Sequence, residues 1–263
     1  ASDHERGSIE YTTEVVERFI EKAFRRPATR DELNRYIGFW DAIKGEFDRY
    51  EDGVKETLVA VLTSPNFLFL AEPTDGFNES YALASRLSYF LWDSPPDAEL
   101  LELAKSNQLK GQLPDVIDRM LGDDKAWRFI RSFGRQWLSL DRAETIGMDM
   151  KKYPNFTRFV RDDLQEETYQ FFGEILKNDL SIMEMIHSDF TMLNQNLAEY
   201  YGIDGIKGNN FRRVELDASL NRGGLMTQGA FLSGHSSGSE AHPIKRAVWL
   251  RSKLLGSPPS PPP

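Results

Sequence analysis

The stretch FTRFVRDDLQEETYQFFGEILKN, residues 156–178, decides the fold class of this chain. Its apolar side chains recur at the spacing of one helix face, and they are Phe159, Leu164, Tyr169, Phe172 and Leu176. Similar segments follow one another along the chain without regular alternation of strands and helices, which argues against a parallel sheet. We therefore predict an all-α protein, with a multi-helix orthogonal or bundle-like body, at most one short β element and a proline-rich C-terminal tail.

Three segments add detail to this prediction. In NFRRVELD, residues 210–217, apolar and polar residues alternate, which predicts a short strand or an extended arm. The segment SIMEMIHSDFTMLNQNLAEYYGI, residues 181–203, is predicted to be helical with a turn near 188–191. Thr29 and Glu32 have the spacing of a capping box, which predicts a helix start there.

The chain divides into three segments, which we expect to pack as one body because no long flexible linker separates them. Residues 9–72 form an N-terminal helical unit, and residues 78–205 form a central helical domain. Residues 206–263 form a C-terminal module with an extended arm, two helices and the tail SPPSPPP.

Composition excludes several classes of function. A net charge of −9 argues against nucleic acid as a partner, because phosphate binding needs a basic face. The absence of cysteine excludes thiolate chemistry and covalent haem attachment within the chain. No apolar run reaches the length of a transmembrane helix, and the polar start ASDHERGS contains no signal peptide, so we expect a mature or excised piece.

The loop GHSSG, residues 234–238, fits the G-x-S-x-G pattern of hydrolase nucleophiles around Ser236. That reading fails, because no aspartate follows Ser236 and the chain lacks the strand–turn–helix context. Three weak candidates for a metal site lie in the same region, namely His235, Glu240 and His242. A stronger interpretation is an anion- or ligand-binding loop before the helix at Pro243, with the candidate residues His235, Ser236, Ser237, His242, Lys245 and Arg246.

A second group of polar residues lies among apolar ones. Asp189 is predicted to cap a helix, and Asn194 is predicted to lock a turn through its side chain; Thr191 and Arg222 are further polar turn candidates. Glu184 and His187 have the spacing of one half of a di-iron site, but a second such motif is missing. The acidic residues of the long helix, Glu166, Glu167 and Glu174, are predicted to be solvated.

Large aromatic side chains at helical spacing are predicted to pack in the core, and they are Trp92, Trp127, Phe133, Trp137 and Tyr200. The alternative is a polysaccharide-binding module, which would need such rings exposed along a groove.

Several segments together resemble a known family. They are SRLSYFLWDSPPDAEL (85–100), FGRQWLSL (133–140), DFTMLNQNLAEYYGI (189–203), FRRVEL (211–216), RGGLMTQGAFL (222–232) and HPIKRAVWLRSKLLGSPPSPPP (242–263). They are similar to consecutive uncharacterised helical domains of large exported proteins of planctomycetes. Where that family commonly has serine before the last helix, this chain has His242, which puts a role of that serine in doubt.

The resemblance implies a c-type cytochrome domain elsewhere in the same polypeptide, so haem c is expected on another domain and no cofactor in this chain. It implies a periplasmic or otherwise extracytoplasmic location and a role in redox or polysaccharide metabolism, with other domains and a polysaccharide as partners. We therefore expect a helical accessory or scaffold region. The alternative is an oxidoreductase or hydrolase acting on a carbohydrate or alcohol, with its site near residues 189–194 and 234–246.

Overall fold

The computed structural model describes residues 5–70 and 76–260, with side chains from 79 onward in the second range. It confirms the predicted fold class, because the chain is mostly helical with one two-stranded antiparallel sheet among the described residues. The chain forms two compact units, Ala1–Lys125 and Ala126–Pro263. The last three residues of the proline-rich tail lie outside the described residues. None of the described helices combines the length and the apolar character that crossing a membrane requires.

The first unit contains seven helices among its described residues: α1 (Ile9–Phe24), α2 (Arg30–Ile43), α3 (Tyr50–Leu62), α4 (Pro65–Leu68), α5 (Gly76–Trp92), α6 (Ala98–Lys105) and α7 (Leu113–Gly122). Helices α1, α2 and α3 pack against one another around Val16, Ile20 and Val61. The predicted capping box is confirmed, since Thr29 and Glu32 satisfy each other's backbone N–H groups at the start of α2.

Arg25 holds the end of α1 against the end of α4. It adopts a left-handed backbone conformation with φ +61° and is buried. Its guanidinium donates to the carbonyl oxygens of Asn66, Phe67 and Phe69 at 2.7 to 3.2 Å. These carbonyls lie at and beyond the end of α4, where carbonyl groups have no hydrogen-bond partner within the helix. The guanidinium of Arg25 supplies the missing donors.

The second unit is built around its longest helix. Its helices are α8 (Ala126–Leu138), α9 (Asp141–Thr145), α10 (Arg158–Lys177), α11 (Gln195–Tyr201), α12 (Gly229–Gly234) and α13 (Pro243–Trp249), the last continued by a π-helical turn, Leu250–Leu254. Helix α10, capped by Thr157, packs against α8, α9, α11, α12 and strand β1 (Phe190–Leu193). Because it has neighbours on several sides, it buries more than one face, including Leu164, Phe171 and Ile175. Phe159, expected on its apolar face, is instead 75% exposed.

The sheet corrects one prediction and confirms another. The alternating segment contains strand β2 (Arg212–Glu215), as predicted. Its partner is β1, in a segment predicted to be helical, with Phe190 opposite Glu215 and Leu193 opposite Arg212. All four residues of β1 are buried, including the polar Thr191, so the strand lacks the alternation of a half-buried strand, and periodicity alone does not distinguish it from a helix.

The predicted aromatic core is only partly confirmed. Trp92 is fully buried, and its indole Nε1 donates to the carbonyl of Met120 at 2.9 Å. Trp127, Trp137 and Tyr200 are half-buried against the core of the second unit. Phe133 is 38% exposed and lies in a group of rings with Phe129, Trp137 and Phe172.

Candidate functional site

A cavity of about 220 Å³ lies in the second unit and is lined in part by the 234–246 region that the sequence singled out. Aromatic side chains form much of its wall, from Tyr153, Phe156, Tyr200 and Tyr201. Two arginines, Arg222 and Arg246, also line it, as do Ser236 and Gly238 of the GHSSG loop. Concave, largely apolar spaces with a few polar groups are the usual form of small-molecule sites.

Arg222 is one of the two cations at this cavity. Its guanidinium carbon lies 3.6 Å from the centroid of the Tyr201 ring, which is close cation–π contact. Its hydrogen bond to the carbonyl of Thr227 is long, at 3.5 Å. Among the described residues, Arg222 has no carboxylate within ion-pair distance.

Arg246 is the other cation and comes from α13. One guanidinium nitrogen donates to the carbonyl of Leu232 at 3.2 Å. Its Nε is buried without a hydrogen-bond partner among the described groups. Two half-buried guanidinium groups with incomplete hydrogen bonding therefore line the same space.

Behind the aromatic wall lies a buried carboxylate, Glu167 of α10, only 1% exposed. Its two oxygens accept hydrogen bonds from Thr191 at 2.7 Å and from Tyr201 at 2.5 Å. The Tyr201 hydroxyl in turn accepts the backbone N–H of Gly229 at 3.0 Å. The network joins α10, β1, α11 and α12, so one side chain connects four elements of the unit. The prediction that Glu167 is solvated is wrong.

Burial is the largest cause of the pKa shifts in this network. Desolvation raises the pKa of Glu167, and the hydrogen bonds from Tyr201 and Thr191 and the charge of Arg222 oppose that shift only in part. Burial, together with the negative charge of Glu167, raises the pKa of Tyr201 well above its usual value. The hydroxyl of Tyr201 is therefore a hydrogen-bond donor to Glu167 throughout the neutral pH range.

The GHSSG loop is held together by its own hydrogen bonds. Ser236 donates to the carbonyl of Ser233 at 2.7 Å and accepts the N–H of Gly238 at 2.9 Å. Ser237 accepts the N–H of Glu240 at 3.0 Å, and Ser236 and Ala241 form an isolated antiparallel bridge. Turn residues that bind their own backbone in this way fix the shape of a loop.

His235 lies outside this cavity and is 1% exposed. Its ring packs against Phe231 and Trp249, with ring centroids at 4.7 and 5.8 Å. Nδ1 lies 3.0 Å from the carbonyl of Phe231, and Nε2 is buried without a partner among the described groups. Desolvation lowers the pKa of His235, and the neighbouring charges of Arg142, Arg246 and Lys245 act in the same direction.

This burial predicts a pH-dependent stability that a His235→Phe variant lacks. Because the pKa of His235 is lowered in the folded state, its neutral form stabilises the fold fully above the unfolded value of 6.5. That stability is lost as the pH falls from 6.5 towards the folded pKa, with a slope of at most about 1.4 kcal/mol per pH unit. In urea unfolding between pH 7.5 and 5, the free energy of unfolding of the variant should rise relative to that of the wild type as the pH falls.

The control is His187→Gln, which changes a histidine that is already exposed. Its unfolding should follow the wild-type pH dependence. A constant difference between wild type and His235→Phe across this pH range would contradict the buried, neutral His235.

The remaining loop candidates take structural positions. His242 caps α13, with Nδ1 accepting the N–H of Lys245 at 3.4 Å. Lys245 donates through Nζ to the carbonyl of Ser236 at 3.1 Å, and Glu240, largely exposed, pairs with Lys152 at 3.4 Å. Within residues 5–70 and 76–260, no three His, Cys, Asp or Glu side chains form a group that could hold a metal ion.

The polar residues near β1 divide between two roles. Asp189 caps no helix: its side chain is 78% exposed, and its carbonyl accepts the N–H of Leu216 beside the sheet. Asn194 does lock the chain, since its side chain accepts the N–H of Leu197 and caps α11. Thr191 points inward to Glu167.

The two residues at the centre of the network were not identified from the sequence. Glu167 lies three residues after Leu164 and four before Phe171, both buried, and this spacing places it on an apolar stripe. This spacing is the feature of the sequence that could have identified Glu167 as buried. Tyr201 offers no comparable signal, because its partners are distant in sequence.

Comparisons with known proteins divide the chain into three matched segments. Residues 11–72 match the family described as PSD5, a protein of unknown function (DUF1595). Residues 79–203 match PSD4, a protein of unknown function (DUF1592), and residues 222–263 match PSCyt3, a protein of unknown function (DUF1588). No curated protein and no solved structure matches the chain. The chain is thus similar, over three consecutive segments, to three families whose descriptions give no function.

Proposed function

We propose that this chain is a helical accessory region of a larger exported protein that also carries a c-type cytochrome domain. The three consecutive matches support this proposal, because their order along the chain corresponds to the segments that carry the family resemblance. In this proposal the three segments 9–72, 78–205 and 206–263 are the modules of the accessory region. Haem c and electron transfer belong to the cytochrome domain, and this region positions it or presents a binding surface.

The observation that carries the proposal is that the candidate polar residues of the loop make their contacts within the fold. Ser236, Ser237 and His242 bind backbone groups of their own loop or of the helix that follows. His235 is enclosed by aromatic rings. Side chains with these partners stabilise a loop, which supports a structural role for residues 235–242.

The test compares this chain with the intact parent polypeptide. We expect haem, measured by its absorbance after reduction, in the parent and none in this chain, because the chain has no cysteine to attach it. Elemental analysis of both should find iron in the parent alone. Electron transfer to ferricyanide by this chain in isolation would refute the accessory role.

A second candidate, an enzyme acting on a carbohydrate or alcohol, is favoured by one observation. Thr191 connects through Glu167 to Tyr201, which lines the same cavity as Ser236, so the two predicted regions approach one space. Turnover of such a substrate by the isolated chain, lost in Tyr201→Phe, would support this candidate. Absence of turnover by the isolated chain would refute this candidate, and unchanged turnover in Tyr201→Phe would exclude a role for Tyr201.

A further inference from the structure

We propose that the cavity of the second unit binds a small organic anion, whose charged group pairs with Arg222 and Arg246 and whose apolar body lies against the aromatic wall. Both arginines line the space together with Tyr153, Phe156 and Tyr200. Such a ligand site is independent of the accessory role, since it requires no haem and no second domain.

The charges at the cavity favour an anion. Guanidinium groups that leave water are normally paired with carboxylates or phosphates, yet neither Arg222 nor Arg246 has such a partner among the described residues. The guanidinium of Arg246 makes one side-chain hydrogen bond, to the carbonyl of Leu232 at 3.2 Å, and that of Arg222 makes a long one at 3.5 Å to the carbonyl of Thr227. An anion in the cavity would supply the charged partner that both guanidinium groups lack within the described part of the chain.

The acidic groups nearby do not neutralise both arginines. Glu240 lines the cavity, but its side chain is 77% exposed and pairs with Lys152. Glu167 lies behind Tyr201 and uses its two oxygens for Thr191 and Tyr201. Its charge acts on Arg222 from that side, which leaves Arg246 as the cation with the least compensation.

The wall defines the body of the ligand. Besides the aromatic rings, Met148, Leu164 and Leu232 line the space, so an inorganic ion would leave apolar surface in contact with water. A single ring with one carboxylate matches this combination of an apolar wall and two cations.

Three probes test the proposal by isothermal titration calorimetry on the full chain. Benzoate has both the ring and the charge, benzyl alcohol has the ring without the charge, and inorganic phosphate has the charge without the ring. We expect saturable binding of one benzoate, with a dissociation constant of about millimolar or tighter. Benzyl alcohol and phosphate should each bind at least about tenfold more weakly, since each lacks one of the two contributions.

Arginine variants locate the binding. Arg246→Gln and Arg222→Gln should each weaken benzoate binding by about tenfold or more. The matched control is Arg251→Gln, in the π-helical turn after α13, where Arg251 is exposed and contacts Ser257. Its affinity should stay within about twofold of the wild type.

Folding is checked by circular dichroism and thermal unfolding. If Arg222→Gln loses structure because the contact with Tyr201 is lost, the test of the proposal rests on Arg246→Gln. Among the described residues, the side chain of Arg246 makes a single hydrogen bond, to a backbone carbonyl, so we expect this variant to fold. The proposal is overturned if benzoate does not bind the wild type. It is also overturned if folded Arg246→Gln binds benzoate with the same affinity as Arg251→Gln. Equal affinity for benzoate and benzyl alcohol overturns the role of the charge.

Discussion

Replacing Glu167 by alanine is expected to lower the free energy of unfolding of the second unit by about 3–5 kcal/mol. The loss has two sources. The hydroxyl groups of Thr191 and Tyr201, which now donate at 2.7 and 2.5 Å, lose their acceptor inside the protein. The missing carboxylate also leaves a cavity at a position that is 1% exposed. Urea unfolding followed by tryptophan fluorescence measures the change.

The matched control is the neighbouring residue. Glu166 lies on the same helix and forms a bidentate ion pair with Arg131 at 2.6 and 2.8 Å, but this pair is partly exposed. Glu166→Ala should therefore lower the free energy of unfolding by no more than about 1 kcal/mol. Equal losses in the two alanine variants would show that the buried network contributes no more than a surface ion pair.

The pH dependence of Glu167→Gln separates the charge of this residue from its shape. Because burial raises the pKa of Glu167 in the folded state, its contribution to stability is complete below the unfolded value of 4.5. That contribution decreases as the pH rises from 4.5 towards the folded pKa. The glutamine does not titrate, so the variant should be less stable than the wild type by a larger margin at pH 4 than at pH 7. A margin that grows with pH would contradict a raised pKa.

The helical fold could be predicted because it depends on local spacing. The long helices α8 and α10 have apolar residues at helical intervals, and α10 was predicted from its own sequence. Strand β1 was not, because a strand buried on both faces does not alternate. Its exposed partner β2 lies in the segment 210–217, and the prediction of a strand or extended arm there was correct.

The candidate site could be predicted only in part, because it is assembled from distant segments. Arg222, Ser236 and Arg246 were named from the sequence and do line one cavity. His235 was named because histidine can bind metals and anions, yet it packs against two aromatic rings outside that cavity. Glu167 and Tyr201 are 34 residues apart and meet only through packing. A charge on an apolar stripe is thus the local sign of a buried network, whereas its partners follow from tertiary structure.

The second large effect is expected at Gly224, where alanine should cost about 3 kcal/mol or more. Gly224 has φ +74° and ψ 172°, a region that essentially only glycine adopts. A Cβ there would lie 2.5 Å from the carbonyl oxygen of Ile186 and 2.6 Å from its carbon. These are backbone atoms, so a side-chain rotation does not relieve the overlap. The segment that carries Arg222 must then shift, and benzoate binding should weaken together with stability.

Gly202→Ala is the control that separates backbone conformation from overlap. Gly202 ends α11 with φ +72° and ψ 30°, in the left-handed helical region, and an added Cβ meets no atom within 4 Å. Alanine at this position should cost about 1–2 kcal/mol, the usual cost of a left-handed backbone with a Cβ. Urea unfolding of both variants gives the comparison. Since Gly202 does not line the cavity, its variant should also retain benzoate affinity. A Gly224→Ala variant as stable as Gly202→Ala would contradict the close approach of residues 186 and 224.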